Sequence, residues 1–138
     1  MKFKSFICAV LFLLLASAPI CAASTDIATV EKQISEYDAS NGNEYITIAN
    51  NVMQLFHEAK ITDEAIKFEA STPRDSVNQQ VWYWASEYFY AHQAYPQALK
   101  YGLQALPLCN NDEDRANYLS LISLIYFRQS NYEQAANY

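Results

Sequence analysis

The stretch from Trp82 to Leu108, WYWASEYFYAHQAYPQALKYGLQALPL, leaves this chain few folding options. Apolar residues recur at helical spacing on both of its arms. The first arm carries Trp82, Ala85, Phe89, Ala91 and Ala94; the second carries Ala98, Leu99, Gly102, Ala105 and Leu106. Such spacing puts one apolar stripe on each of two helices joined by a tight turn, with small residues where the helices must approach closely. Glycine and proline are scarce, at 2 and 4, which disfavours turn-rich β structure. A chain of 138 residues is long enough for one helical core and too short for a multidomain enzyme.

The same stretch resembles a tetratricopeptide repeat (TPR). Trp82, Ser86, Phe89, Tyr95, Ala98 and Ala105 fall in register with the family pattern. Ala85 stands where Leu is usual, Gly102 where an aromatic is usual and Asn110 where Pro is usual. Adding 37 to Trp82, Phe89, Tyr95 and Ala98 lands on Leu119, Tyr126, Tyr132 and Ala135. A unit of about 34 residues is usual, so the excess is placed in the connector Asn110 to Asp114. The resemblance covers residues 73–138 and implies an all-α fold, with antiparallel helix pairs stacked as a short right-handed solenoid.

Residues 1–23 read as a signal peptide. Lys2 and Lys4 give a basic start, Phe6 to Ala18 an apolar run, and Cys21-Ala22-Ala23 a small-residue cleavage site before polar Ser24-Thr25-Asp26. The apolar run is shorter than the ~20 residues a membrane helix needs. Two alternatives stay open: a retained signal anchor, and lipid attachment at Cys21, for which Ile20 is a poor preceding residue. Removal of residues 1–23 leaves 7 basic and 15 acidic side chains, a net charge of 7 − 15 = −8, and a single cysteine, Cys109. An internal disulfide is then impossible, and Cys109 reads as a buried structural thiol.

Residues 24–60 predict a helical hairpin, a degenerate repeat. Ser24 or Thr25 caps a helix that opens near Asp26 and carries Ile27, Val30, Ile34 and Tyr37 on one face. Asn41-Gly42 stops it, and Asn43 caps a second helix to about Lys60. Residues 61–72 form a connector with two readings. Thr62 can cap a short helix over Asp63 to Ala70, with Ala65 matching the repeat alanine. The alternation in Ile66-Lys67-Phe68-Glu69 instead favours an irregular, extended segment that tucks Ile66 and Phe68 against the helices, and that is the reading preferred.

Residues 73–138 predict two TPR units, the second truncated. Thr72-Pro73-Arg74-Asp75 signals a capping Thr with Pro at the first helical position, opening a helix to about Gln93. Pro96 opens its partner. Asn110-Asn111-Asp112 closes that partner and caps a helix from about Glu113 to Gln129, whose first turn holds three carboxylates at its positive end. A last helix begins near Tyr132, and its register predicts one or two further turns beyond Tyr138.

The chemistry read from the sequence is mostly negative. His57-Glu58 starts like a helical zinc motif, but Ile61 occupies the position of the second ligand. No glycine-rich phosphate loop, nucleophile elbow or paired cysteines occur. No catalytic residue, cofactor or metal is expected, and the acidic balance argues against nucleic acid. The resemblance implies a concave groove lined by first helices, which places Tyr83, Glu87, Tyr90 and Ala91 from one unit beside Asn117, Ser120, Leu124, Phe127 and Arg128 from the next. Tyrosine suits recognition, with a stiff apolar body and a polar tip; packing between helices is the alternative for each of these rings. Trp84 lies ~200° around the helix from Trp82, so the two cannot share a face.

The expected function is an exported, periplasmic scaffold that binds a protein or peptide. The tract TPRDSVNQQVWYWASEYFYAHQAYPQAL is similar to the extracytoplasmic TPR sensor region of bacterial membrane-bound regulators. In those, a histidine kinase or helix-turn-helix output follows. A surface lipoprotein that captures solutes or glycans is the alternative.

Overall fold

The computed structural model describes residues 26–138. The segment 1–23, read as a signal peptide, lies outside them, as do Ser24 and Thr25, the expected first caps. Six α-helices follow in order: α1 (Ile27–Ala39), α2 (Glu44–Glu58), α3 (Arg74–Ala91), α4 (Tyr95–Ala105), α5 (Asp112–Arg128) and α6 (Tyr132–Asn137). A single 3-10 turn, Leu106–Leu108, extends α4, and no strand occurs among the described residues. The fold is all-α and built of packed helix pairs.

Local chemistry sets most boundaries. Asp26 caps α1 by accepting from the Thr29 N–H at 2.8 Å. Asn111 caps α5 by accepting from the Asp114 N–H at 2.8 Å. Two expected caps differ. Asn43 stands at the cap of α2 but makes no side-chain capping bond. Pro73, expected inside α3, is itself the cap residue with extended backbone, and the Thr72 carbonyl accepts instead from the Tyr45 hydroxyl at 2.8 Å. Proline disfavours helical backbone in the residue before it, and the helix starts at Arg74.

α2, α3 and α5 end in the same way. Lys60, Gln93 and Ser130 have left-handed backbone, with φ of 60°, 60° and 59°. Their N–H groups donate to His57, Tyr90 and Phe127 carbonyls, each at 3.0 Å. The next residues, Ile61, Ala94 and Asn131, donate to Phe56, Phe89 and Tyr126 at 2.9, 2.8 and 2.9 Å. Each turn satisfies two carbonyls that a helix end leaves orphaned. This stops α3 at Ala91, short of the expected Gln93.

The three helices so terminated lie parallel in one row. Phe56 at the end of α2 meets Tyr88 near the end of α3, with ring centroids 5.7 Å apart. At the other end, the Arg74 guanidinium sits over Tyr45, 5.1 Å from its centroid. Gln79 of α3 reaches Tyr118 of α5 at 3.3 Å, and Arg128 at the end of α5 reaches Tyr90 at 3.2 Å. The other helices run antiparallel to this row. α3 pairs with α4 through the buried Ser86 hydroxyl, which donates to the Ala98 carbonyl at 2.7 Å. α5 pairs with α6 through Ser123, which donates to the Ala135 carbonyl, also at 2.7 Å.

α1 has its place in that second row. The Tyr37 hydroxyl bonds Asn78 near the start of α3, and its ring meets Trp82 edge-on at 5.5 Å. Asp26, at the opposite end of α1, acts on Tyr88 near the end of α3. Gln97 of α4 donates to Glu31 at 3.1 Å. α1 therefore runs antiparallel to both α2 and α3 and touches the head of α4. Val30, Ile34 and Tyr37, the stripe expected from the sequence, are its buried face.

The core centres on Trp82. Tyr101 stacks on it at 5.5 Å with an interplanar angle of 11°, and Phe89 stacks on Tyr101 at 5.5 Å. Ala85, Ala98 and Ala105 are fully buried around them, which lets α3 and α4 approach. Residues 59–73 contain no helix. The Asn50 side chain clamps Phe68 there, accepting from its N–H at 2.7 Å and donating to its carbonyl at 3.2 Å. Ile66 and Phe68 are half-buried against the helices.

Candidate ligand groove

The parallel run of α3 and α5 leaves a furrow between them. Side chains three and four apart on each helix point into it: Tyr83, Glu87 and Tyr90 from α3; Asn117, Ser120, Leu121 and Leu124 from α5. They enclose a concavity of about 240 Å³. A second concavity of about 220 Å³ adjoins it through the shared Tyr83 and Asn117 and adds Gln80, Trp84, Asp114 and Tyr118. The groove so formed runs from Asp114 at the head of α5 towards Arg128 at its foot.

Tyr83 divides it. Its ring stacks on Tyr118 at 4.3 Å with an interplanar angle of 9°, and meets Trp84 edge-on at 5.0 Å. Its hydroxyl donates to Glu87 Oε1 at 3.0 Å. Burial, and then the Glu87 carboxylate, push the Tyr83 phenol well above the ordinary tyrosine range, so it remains a donor at neutral pH. Burial likewise pushes Tyr118 up to about 12, opposed by the bond from Gln79. Gln79 Nε2 also donates to Asp114 Oδ2 at 3.1 Å. This wall is ordered by bonds among its own side chains, and Trp84 is pinned the same way, its indole N–H donating to Gln80 Oε1 at 3.1 Å.

Of the residues expected from the sequence, Tyr83, Glu87, Tyr90, Asn117, Ser120 and Leu124 share the groove. Arg128 lies at its end, where its Nε donates to the Tyr90 hydroxyl at 3.2 Å. Two are placed elsewhere. Ala91 is exposed and lines neither concavity. Phe127 faces away, into a concavity of about 580 Å³ bounded by Ser120, Ser123, Leu124, Ala135 and Tyr138. Phe127 stands 37 positions after Tyr90, so it bears to the far side of α5 the relation that Tyr90 bears to the far side of α3. Gln80, Trp84, Asp114, Tyr118 and Leu121 join the site unannounced. The signal for Trp84 was its angle from Trp82; Asp114 was hidden by its other duty, since it also takes the Asn111 cap bonds.

Among the described residues no group of three or more His, Cys, Asp or Glu could hold a metal ion. His57 and His92 sit at helix ends, their Nδ1 atoms 3.2 and 2.8 Å from the Thr62 and Tyr88 carbonyls. Cys109 is buried, and burial pushes its thiol pKa up, which disfavours the thiolate. No described helix is long and apolar enough to cross a membrane.

No family model, curated protein or solved structure matches this chain.

Proposed function

We propose that the chain is an exported TPR-like scaffold, its helix pairs forming a short right-handed solenoid, and that the groove between α3 and α5 binds a protein or peptide. The observation that carries this reading is the set of half-buried side chains held by hydrogen bonds at Tyr83, Trp84, Glu87 and Tyr90, beside the exposed Asn117. A stiff aromatic surface with hydroxyls already oriented loses little entropy on binding, which suits an extended peptide. Asp114 puts a carboxylate at one end and Arg128 a cation at the other, with Glu87 one helical turn from the Tyr90 that Arg128 bonds. The scaffold is the sensory or interaction part of a periplasmic signalling or transcription-regulating system.

The test is capture of exported proteins by the mature chain, compared with a Tyr83→Ala/Tyr90→Ala variant whose helicity is checked by circular dichroism. A specific partner retained by the wild type and lost by the folded variant supports the reading. Equal retention by both overturns it.

A further inference from the structure

We propose that residues 62–70 are a helix-forming segment held out of its seat by α1, and that the two segments can exchange in that seat.

The three left-handed turns set a common register. Five residues after Lys60, Gln93 and Ser130 come Ala65, Ala98 and Ala135. The residues that follow correspond: Ala65-Ile66-Lys67-Phe68, Ala98-Leu99-Lys100-Tyr101 and Ala135-Ala136-Asn137-Tyr138. The second of these sequences is helix α4, and the third enters α6. The first is not helical, although nothing in it forbids a helix. Thr62 can cap, Asp63 and Glu64 fall in a first turn that favours acids, and no Gly or Pro intervenes before Pro73.

The seat such a helix would take is filled. α4 lies antiparallel between α3 and α5; by the same register residues 62–70 would lie antiparallel between α2 and α3. α1 lies on that side instead, packed along α2 and reaching α3 through Tyr37, with Val30, Ile34 and Tyr37 buried. The chain thus supplies from before α2 the helix that the other units supply from after their first helix.

Two residues explain which segment wins. At the α3–α4 crossing Ser86 faces Gly102, and a Cβ on Gly102 would stand 3.0 Å from the serine Oγ. Counting back 33 positions, Met53 replaces Ser86 and Glu69 replaces Gly102. A thioether opposite a carboxylate cannot reproduce so close a crossing, and the carboxylate would lose its water. Residues 62–70 are left with few anchors. Asn50 holds the Phe68 backbone, and the buried Thr62 hydroxyl has no hydrogen-bond partner. As a cap, that hydroxyl would accept an N–H two or three residues on.

The exchange is read by amide hydrogen exchange of the full chain. Met53→Ser/Glu69→Gly restores the crossing. Amides of residues 64–70 are expected to gain about tenfold protection and those of 30–39 to lose about tenfold, with α3 and α5 unchanged. Unchanged protection in both segments overturns the proposal. Ile34→Asp attacks the seat from the other side: with α1 expelled from an otherwise protected chain, 64–70 should become protected, and their staying open also overturns it. Should both variants unfold, the wild type decides. Residues 30–39 must exchange about tenfold faster than the core amides of α3, because α1 leaves alone; equal rates overturn the exchange.

Discussion

Ser86 and Gly102 face each other at a close crossing of α3 and α4. The serine hydroxyl is already committed to the Ala98 carbonyl at 2.7 Å, and a methyl added at Gly102 would lie 3.0 Å from that oxygen and 3.2 Å from Ile122 Cγ1. Both neighbours are wholly buried, so neither can swing into solvent.

Gly102→Ala therefore sets helix propensity against packing. Alanine gains about 1 kcal/mol in a helix interior, while overpacking a tight core costs about 1–3 kcal/mol. The expected net result is a loss of about 1 kcal/mol in urea unfolding. Ser86→Ala alone should cost about 1–2 kcal/mol by orphaning its hydrogen bond. The double variant should cost less than the sum of the two, because removing the hydroxyl opens the space that the new methyl needs. Additive losses would show that the two residues do not share one crossing.

The left-handed residues Lys60, Gln93 and Ser130 predict the opposite sign. All three are exposed non-glycine residues at φ near 60°. Glycine reaches that conformation without the steric cost of a Cβ. Each change to Gly should raise unfolding stability by about 0.5–1 kcal/mol, and each change to Val should lower it. Chemical denaturation of the six variants checks the set; stabilisation by Val would overturn the turn geometry.

Alkali should unfold the chain through its tyrosines. Burial pushes Tyr118 up to about 12 from an ordinary 10.0, and pushes Tyr37 and Tyr83 upward as well. Above pH 10 the unfolded chain has lost phenol protons that the folded chain keeps, so stability falls as pH rises. It is fully present below 10 and erodes through 12 and beyond. Tyr118→Phe should flatten this loss in denaturation midpoints measured from pH 8 to 12. An unchanged slope would place Tyr118 outside the effect.

The helices of residues 73–138 were legible because period and punctuation agree there. Trp82, Ala85 and Phe89 mark one face, and Asn111 and Pro96 mark helix starts. The groove residues came from the resemblance, which carried family positions onto α3 and α5, where residues three and four apart share a face. Phe127 escaped that logic: a helix with neighbours on two sides has two lined faces, and spacing alone does not say which furrow a residue enters. The seat of α1 was also hidden. Tyr37 meets Asn78 and Glu31 meets Gln97 across 41 and 66 residues, and no local pattern reports a contact of that reach. Residues 62–70 carry a helical signature that tertiary competition overrides, so both sequence readings had a physical basis.

The docking of α1 also orders events in time. It emerges from synthesis before any other described helix, yet Asn78, Trp82 and Gln97, which complete its berth, are made long afterwards. Until α3 is made, the seat between α2 and α3 does not exist for either segment. Both contenders are already present when it forms, so the choice between them falls to the moment α3 folds.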